Sequence, residues 1–307
     1  MRAFVRAEAE IAATTAAGGG VTVGDLLDGY AASARARGVG SSQMDCVKML
    51  RSHFAAHTVA DLTPEAVIDY QMARGVAPGT LRRELGTLVA ALGWAVKHGK
   101  LTQAPEIDLP AEGEPRAVFL TEDLEEELFL LASRDTERNS RMGARSSGRL
   151  SRTGRFVCIG LDTGARKAAI QGLTWDRVDL ARRVLDFRDP TVRATKKRRV
   201  ATPIPDRLLE VLRRAARERR PGENHVLDGP GDVGSGFNAF MERHGFEGIT
   251  PHVLRHTRIT LLLRAGVSLW DVSALVGASP DVIQAVYGHH VADDRLRLLA
   301  NKRGAAA

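Results

Sequence analysis

The chain has 307 residues, 44% of them apolar and 26% charged, with a formal net charge of +7. That length suits two domains better than one, and the basic balance favours a polyanionic partner such as nucleic acid or an anionic membrane face. Two cysteines, Cys46 and Cys158, are too few for a disulfide framework or a four-ligand zinc site. No apolar run approaches bilayer length and Met1 to Ala17 lacks a signal-peptide core, so a cytoplasmic protein with no membrane association is expected. Because only 5% of residues are aromatic, cores built from Leu, Val and Ala are expected.

Residues 1–20 end in Gly18-Gly19-Gly20 and read as a flexible lead-in. Thr22 with Asp25 has the pattern of a capping box ahead of Leu26, Leu27 and Tyr30. Ser42 with Asp45 opens a second helix carrying Val47, Leu50 and Phe54. Thr63-Pro64 and Gly75 bracket a third. Leu81, Leu85, Leu88, Leu92 and Ala95 form the stripe of a fourth. Residues 21–102 are therefore expected to be a four-helix domain. Residues 103–117 hold three prolines and no period, the pattern of an interdomain linker.

A helix restarts at Thr121 and runs through Leu124, Leu128 and Leu131. The stretch Arg134 to Arg155 carries seven arginines and reads as a basic loop, either solvated or laid along phosphates. Residues 183–188 and 199–205 read as short strands flanking a turn rich in Lys and Arg. Helices are expected at 208–217, 236–244, 250–264, 268–276 and 279–287. The second domain, 118–295, is thus mostly α with one small antiparallel sheet, and 296–307 is a tail.

Four segments carry chemistry. Thr250-Pro251 starts a helix and sets His252 and Arg255 on one face near its positive end, a place suited to an anionic group and to phosphate above all. A surface histidine and a salt-bridged arginine fit the same spacing. His252 and His256 are four apart, as metal ligands often are, but no third ligand accompanies them and Arg255 stands between, so no metal or cofactor is expected. In Thr163-Gly164-Ala165-Arg166 the glycine allows a sharp turn, and Arg166 in the first turn of a helix opposes its dipole unless an anion joins it. Arg193 to Arg199 places five cations in seven residues at the hairpin tip, which is either a solvated turn or a lysine delivered to DNA. Tyr287 closes the last helix before Gly288, with an accessible hydroxyl expected.

Taken in order, these segments resemble the tyrosine recombinase family in its phage-integrase form. The resemblance rests on Thr163-Gly164-Ala165-Arg166 with Leu173-Thr174-Trp175, on Pro251-His252-Val253-Leu254-Arg255-His256-Thr257, and on Val276-Gly277-Ala278-Ser279 with Tyr287. It implies an N-terminal helical core-binding domain and an α-rich catalytic domain that cleaves and rejoins DNA without metal or ATP. By resemblance, Tyr287 attacks the phosphodiester to form a 3′-phosphotyrosyl link and Arg166 and Arg255 clamp the non-bridging oxygens. Lys196 protonates the leaving 5′-oxygen, and His252 takes the tyrosine proton or hydrogen-bonds the phosphate. The implied partners are a specific double-stranded recombination site, a second copy on each half-site pair, a tetramer at synapsis, and accessory DNA-bending or directionality proteins. The implied location is the bacterial cytoplasm or nucleoid.

The chain departs from the family pattern in three places. Ala278 stands where members usually carry His or Trp, and one missing donor costs about 3 kcal/mol in a transition state; His289 and His290 are candidate replacements. Ala169 stands where an acid usually orients the first arginine, leaving Asp176 or Asp179 to do so. Lys196 and Lys197 are adjacent, and Lys196 is preferred because Thr195-Lys196 matches the usual turn. Two other readings keep part of the pattern: a non-catalytic DNA-binding relative, and a relaxing topoisomerase of the same chemistry.

Overall fold

The computed structural model describes residues 21–38, 40–111, 118–138, 146–190 and 198–288. The expected lead-in, Lys196 and Lys197, His289 and His290, and the tail lie outside the described residues. The chain divides into two compact units, Met1–Glu114 and Pro115–Ala307.

In the first unit the described residues form α1 (Val23–Ala36), α2 (Ser41–Phe54), α3 (Pro64–Arg74) and α4 (Pro78–Lys97). The reciprocal Thr22–Asp25 capping box starts α1, and Thr63 caps α3 with Pro64 at its first position. Gly75 ends α3 in the left-handed conformation. The second helix differs from expectation: it starts at Ser41 with Gly40 as its cap and no side-chain capping bond, so the Ser42–Asp45 pattern is not used. Leu26, Leu50, Leu85, Leu88 and Ala95 meet in one core, closed by Phe54 and Tyr70. The irregular stretch after α4 is not wholly free, since Ile107 joins that core and Arg82 Nη1 donates to the Pro110 carbonyl at 2.7 Å.

The second unit is arranged around a helix the sequence did not suggest. Arg152–Thr163 (α6) is buried at every position from Gly154 to Thr163 and packs on Glu122–Arg134 (α5). Two further helices, Asp206–Arg217 (α8) and Pro251–Arg264 (α10), also pack on it. The first turn of α6 carries Arg152, Gly154 and Arg155 and so reads as the end of the basic loop, and Gly154 and Gly160 lower its helix propensity. The residues before it form a two-stranded hairpin, Thr136–Arg138 (β1) with Ser146–Leu150 (β2). Two of the seven arginines between Arg134 and Arg155 are structural, because Arg155, 1% exposed, and Arg149 both pair with Asp228 at 2.5 and 2.6 Å. They are not available to lie along phosphates.

Val178–Asp179 (β3), Val184–Asp186 (β4) and Ala201–Pro203 (β5) form a three-stranded antiparallel sheet in that order, with Leu185 opposite Thr202. Lys167–Gln171 (α7) and Gly234–Arg243 (α9) complete the main core. The aromatic residues, though scarce, concentrate in the cores: Phe156, Phe237 and Phe240 are at most 1% exposed here. A smaller cluster joins Ile259 and Leu263 of α10 to Val272 and Val276 of Leu269–Val276 (α11). Ala278, Ile283 and Tyr287, from the segment that becomes helical over 280–288 (α12), close it.

Candidate active site

Three turns converge on one place. The first follows α6, where Gly164 adopts φ +61° and a Cβ would lie 3.2 Å from Val276 Cγ1 and 3.3 Å from Arg258 Cγ. Only glycine meets both the dihedral and the space there. The end of α6 is fixed by Asp162, whose Oδ1 takes Arg207 Nη2 at 2.7 Å, while the same guanidinium holds Glu126 at 2.7 Å. This places Arg166 as the cap residue of α7, one position before its first turn.

The second is the start of α10, which carries His252, Arg255 and His256. The third is the left-handed turn at Gly277, φ +65°, between α11 and the helix that carries Tyr287.

The two arginines tie these turns together through main-chain carbonyls. Arg166 Nη1 donates to the carbonyls of Arg198 and Gly277, both at 2.9 Å. Arg255 Nη1 donates to the carbonyls of Gly164 and Val276, both at 2.7 Å. Thr202 Oγ1 of β5 also donates to the Leu275 carbonyl at 3.1 Å, joining the sheet to the same turn. Among the described residues neither arginine pairs with a carboxylate. The acid expected to orient Arg166 in place of Ala169 is therefore not Asp176 or Asp179. Asp179 Oδ1 instead accepts the backbone N–H groups of Ala181 and Arg182 at 3.0 and 2.8 Å.

Carbonyls orient a guanidinium without cancelling its charge. Arg255, 4% exposed, is pushed down to about 10 by burial and then by the Arg166 charge, while Tyr287 opposes the shift. Burial also lowers Arg166. Two like charges, one buried and one half-buried, with no carboxylate partner among the described residues, favour an incoming anion, and the planar forks suit phosphate.

Tyr287 is only 3% exposed, so its hydroxyl is not the accessible group expected from sequence. Burial raises its pKa to about 12 against the opposing pull of Arg255. The hydroxyl lies 2.5 Å from His256 Nδ1. By resemblance the partner of that proton is His252, which takes it or hydrogen-bonds the phosphate; the described contact is with His256. The signal was its position, one turn after His252 on the same face. His252 is exposed, meets His256 edge-on at 4.4 Å between ring centroids, and is lowered by desolvation, then by Arg255 and Arg166. His256 is driven down to about 4 by burial, then by His252 and Arg255.

Ala278 is buried, and its carbonyl accepts from Ser273 Oγ at 2.7 Å. Among the described residues no group of three or more His, Cys, Asp or Glu is placed to hold a metal ion, and no helix is long and apolar enough to cross a membrane.

The sequence model of the phage integrase family matches residues 142–293, a span that contains all three turns. The XerC tyrosine recombinase of Xanthomonas campestris pv. campestris is 24% identical over 227 residues, 70% of this chain and 65% of that protein. The chain thus spans just under two thirds of that relative. XerC of a Mycobacterium species is 28% identical over 241 residues, 73% of this chain and 76% of its own length. Among solved structures, the Tn1549 transposon integrase in complex with transposon right end DNA superposes with a TM-score of 0.68. It shares 19% identity and covers 91% of this chain and 100% of that one, a likeness of fold. The matched span, the relatives and the fold agree: residues 142–293 match the phage integrase family, and the chain resembles the tyrosine recombinases.

Proposed function

We propose that this protein is a site-specific DNA recombinase whose Tyr287 becomes linked to a DNA 3′-phosphate. The observation that carries the reading is the pair Arg166 and Arg255, oriented by carbonyls, without a carboxylate partner among the described residues, and set beside a buried tyrosine. Such a frame holds the non-bridging oxygens of a phosphodiester and gains strength as charge builds on them. Tyr287 is the nucleophile, and Lys196, carried over by resemblance, protonates the 5′-oxygen as it leaves. Exposed His252 hydrogen-bonds the phosphate. Because the phosphotyrosyl bond stores the energy of the broken one, resealing needs no nucleotide, and the arginines supply the charge stabilisation that a metal supplies elsewhere.

The partner is duplex DNA bearing a specific site. The helical unit 21–102 serves as the core-binding domain, with 118–295 as the catalytic domain. The assembly proposed is a dimer on each pair of half-sites and a tetramer at synapsis, in the bacterial cytoplasm, with accessory DNA-bending proteins where direction is controlled. The relatives named as recombinases and the integrase solved with DNA support this reading.

The test uses nicked duplexes with a randomised core, incubated with the protein in EDTA without nucleotide. Wild-type protein is expected to trap DNA covalently on a denaturing gel, and Tyr287→Phe to trap none. Specific binding without any adduct would replace the reading with a non-catalytic DNA-binding protein. An adduct without strand exchange between two copies of the recovered site would point to a relaxing topoisomerase.

A further inference from the structure

We propose that His256, rather than His252, accepts the proton of the Tyr287 hydroxyl when that oxygen attacks phosphorus. The inference rests on the reading of Tyr287 as the nucleophile and adds a catalytic residue to it.

The geometry points one way. Tyr287 Oη and His256 Nδ1 are 2.5 Å apart, with ring centroids at 5.3 Å and planes inclined by 47°. His252, by contrast, has its ring edge against His256 and is the more exposed of the two. A tyrosine hydroxyl donating to Nδ1 leaves the imidazole hydrogen on Nε2. Partial burial, His252 and Arg255 keep His256 neutral, so the Nδ1 lone pair stays available throughout the neutral range.

In the empty site a proton on tyrosine near 12 would move to a histidine near 4 only uphill. Substrate changes both ends. A phosphate seated on Arg166 and Arg255 offsets the Arg255 charge, which adds to the burial and the His252 ring that lower His256. As the Oη–P bond forms, the tyrosine oxygen loses its basicity, and its proton passes to Nδ1 late in the step. The P–O5′ bond breaks, its electron pair stays on the 5′-oxygen, and Lys196 supplies that oxygen with a proton. In resealing, an incoming 5′-hydroxyl attacks phosphorus and gives its proton to the neutral Lys196, the P–Oη bond breaks, and the His256 imidazolium returns its proton to Tyr287.

The test compares wild type with His256→Ala and His256→Asn on the recovered suicide substrate. Asn keeps an acceptor oxygen near Nδ1 but takes no proton. Both variants are expected to bind DNA like wild type and to form adduct about 10²-fold more slowly. Placing a ring-fluorinated tyrosine at 287, which gives up its proton more readily, is expected to recover most of the loss in His256→Ala. A substrate with sulfur in place of the leaving 5′-oxygen, which needs no general acid, is expected to recover none. Recovery by Asn alone would reduce His256 to a positioning residue and overturn the proposal. A loss unchanged by fluorotyrosine, or repaired by the sulfur substrate, would also overturn it. If wild type forms no adduct, or Tyr287→Phe forms one, the underlying reading fails as well. That outcome is distinct from a wild-type adduct whose rate ignores His256.

Discussion

Gly277 sits where three parts of the site meet: its carbonyl holds Arg166, its turn precedes the Tyr287 helix, and its Cα faces the sheet. In Gly277→Ala two effects add. A non-glycine residue at φ +65° costs about 1–2 kcal/mol. The new Cβ would also lie 2.7 Å from the Arg198 carbonyl oxygen, an overpacking worth about 1–3 kcal/mol. Gly245→Ala separates them, because Gly245 has φ +76° but nothing within 4 Å. The control should lose only the backbone part, about 1–2 kcal/mol. Gly277→Ala should lose about 2–5 kcal/mol, a fall in Tm of roughly 4–20 °C. Because the clash moves the Arg166 acceptors, adduct formation below the new Tm should also drop about 10²-fold, with DNA binding retained. Thermal unfolding and suicide-substrate kinetics on both variants check this. If the two variants lose equal stability and Gly277→Ala cleaves normally, the close approach of the Arg198 carbonyl is wrong.

Other predictions follow from the same contacts. Arg255→Lys replaces a fork that reaches two carbonyls with a point charge, so single-turnover cleavage should fall about 10²–10³-fold while a gel shift on the site changes little. Asp228→Asn takes the half-buried carboxylate from buried Arg155, while Arg149 keeps Glu137 and Glu223, and urea unfolding should show a loss of about 3 kcal/mol. His256 has a lowered folded pKa, so the unfolded chain takes up a proton first as pH falls. Its contribution is complete above the ordinary histidine value and is lost as pH falls towards about 4. Between about pH 7.5 and about pH 5, wild type should lose about 1–2 kcal/mol more than His256→Gln in urea titrations, after allowance for partial exposure. Equal losses would contradict a neutral His256.

The helical first unit was legible because local signals decide it: the Thr22–Asp25 box, Thr63-Pro64, Gly75 and the leucine stripe of α4 all appear where expected. The strands at 184–186 and 201–203 were legible from their β-branched and apolar runs beside the basic turn. Helix α6 was not, since its first turn, with Arg152, Gly154 and Arg155, continues a basic stretch and two glycines weaken its helix propensity. Arg155 and Arg149 read as part of a basic loop, solvated or laid along phosphates, because their partner Asp228 is more than seventy residues away in sequence. In the site, Arg166, His252, Arg255 and Tyr287 could be selected from their order along the chain. What the order could not supply was the pairing: carbonyl acceptors carry no residue type, so the search for a replacement acid at Asp176 or Asp179 looked in the wrong place. The Tyr287–His256 contact depends on how α12 returns onto α10, which no local pattern encodes.

The central claim is that Tyr287 becomes covalently joined to DNA. Trapped adduct from the suicide reaction, digested with nuclease and protease and read by tandem mass spectrometry, tests it most directly. The account predicts a nucleotide remnant linked through its 3′-phosphate to the Tyr287 oxygen, recovered from reactions run in EDTA. A remnant on any other residue, or a 5′-phosphate linkage, would contradict it.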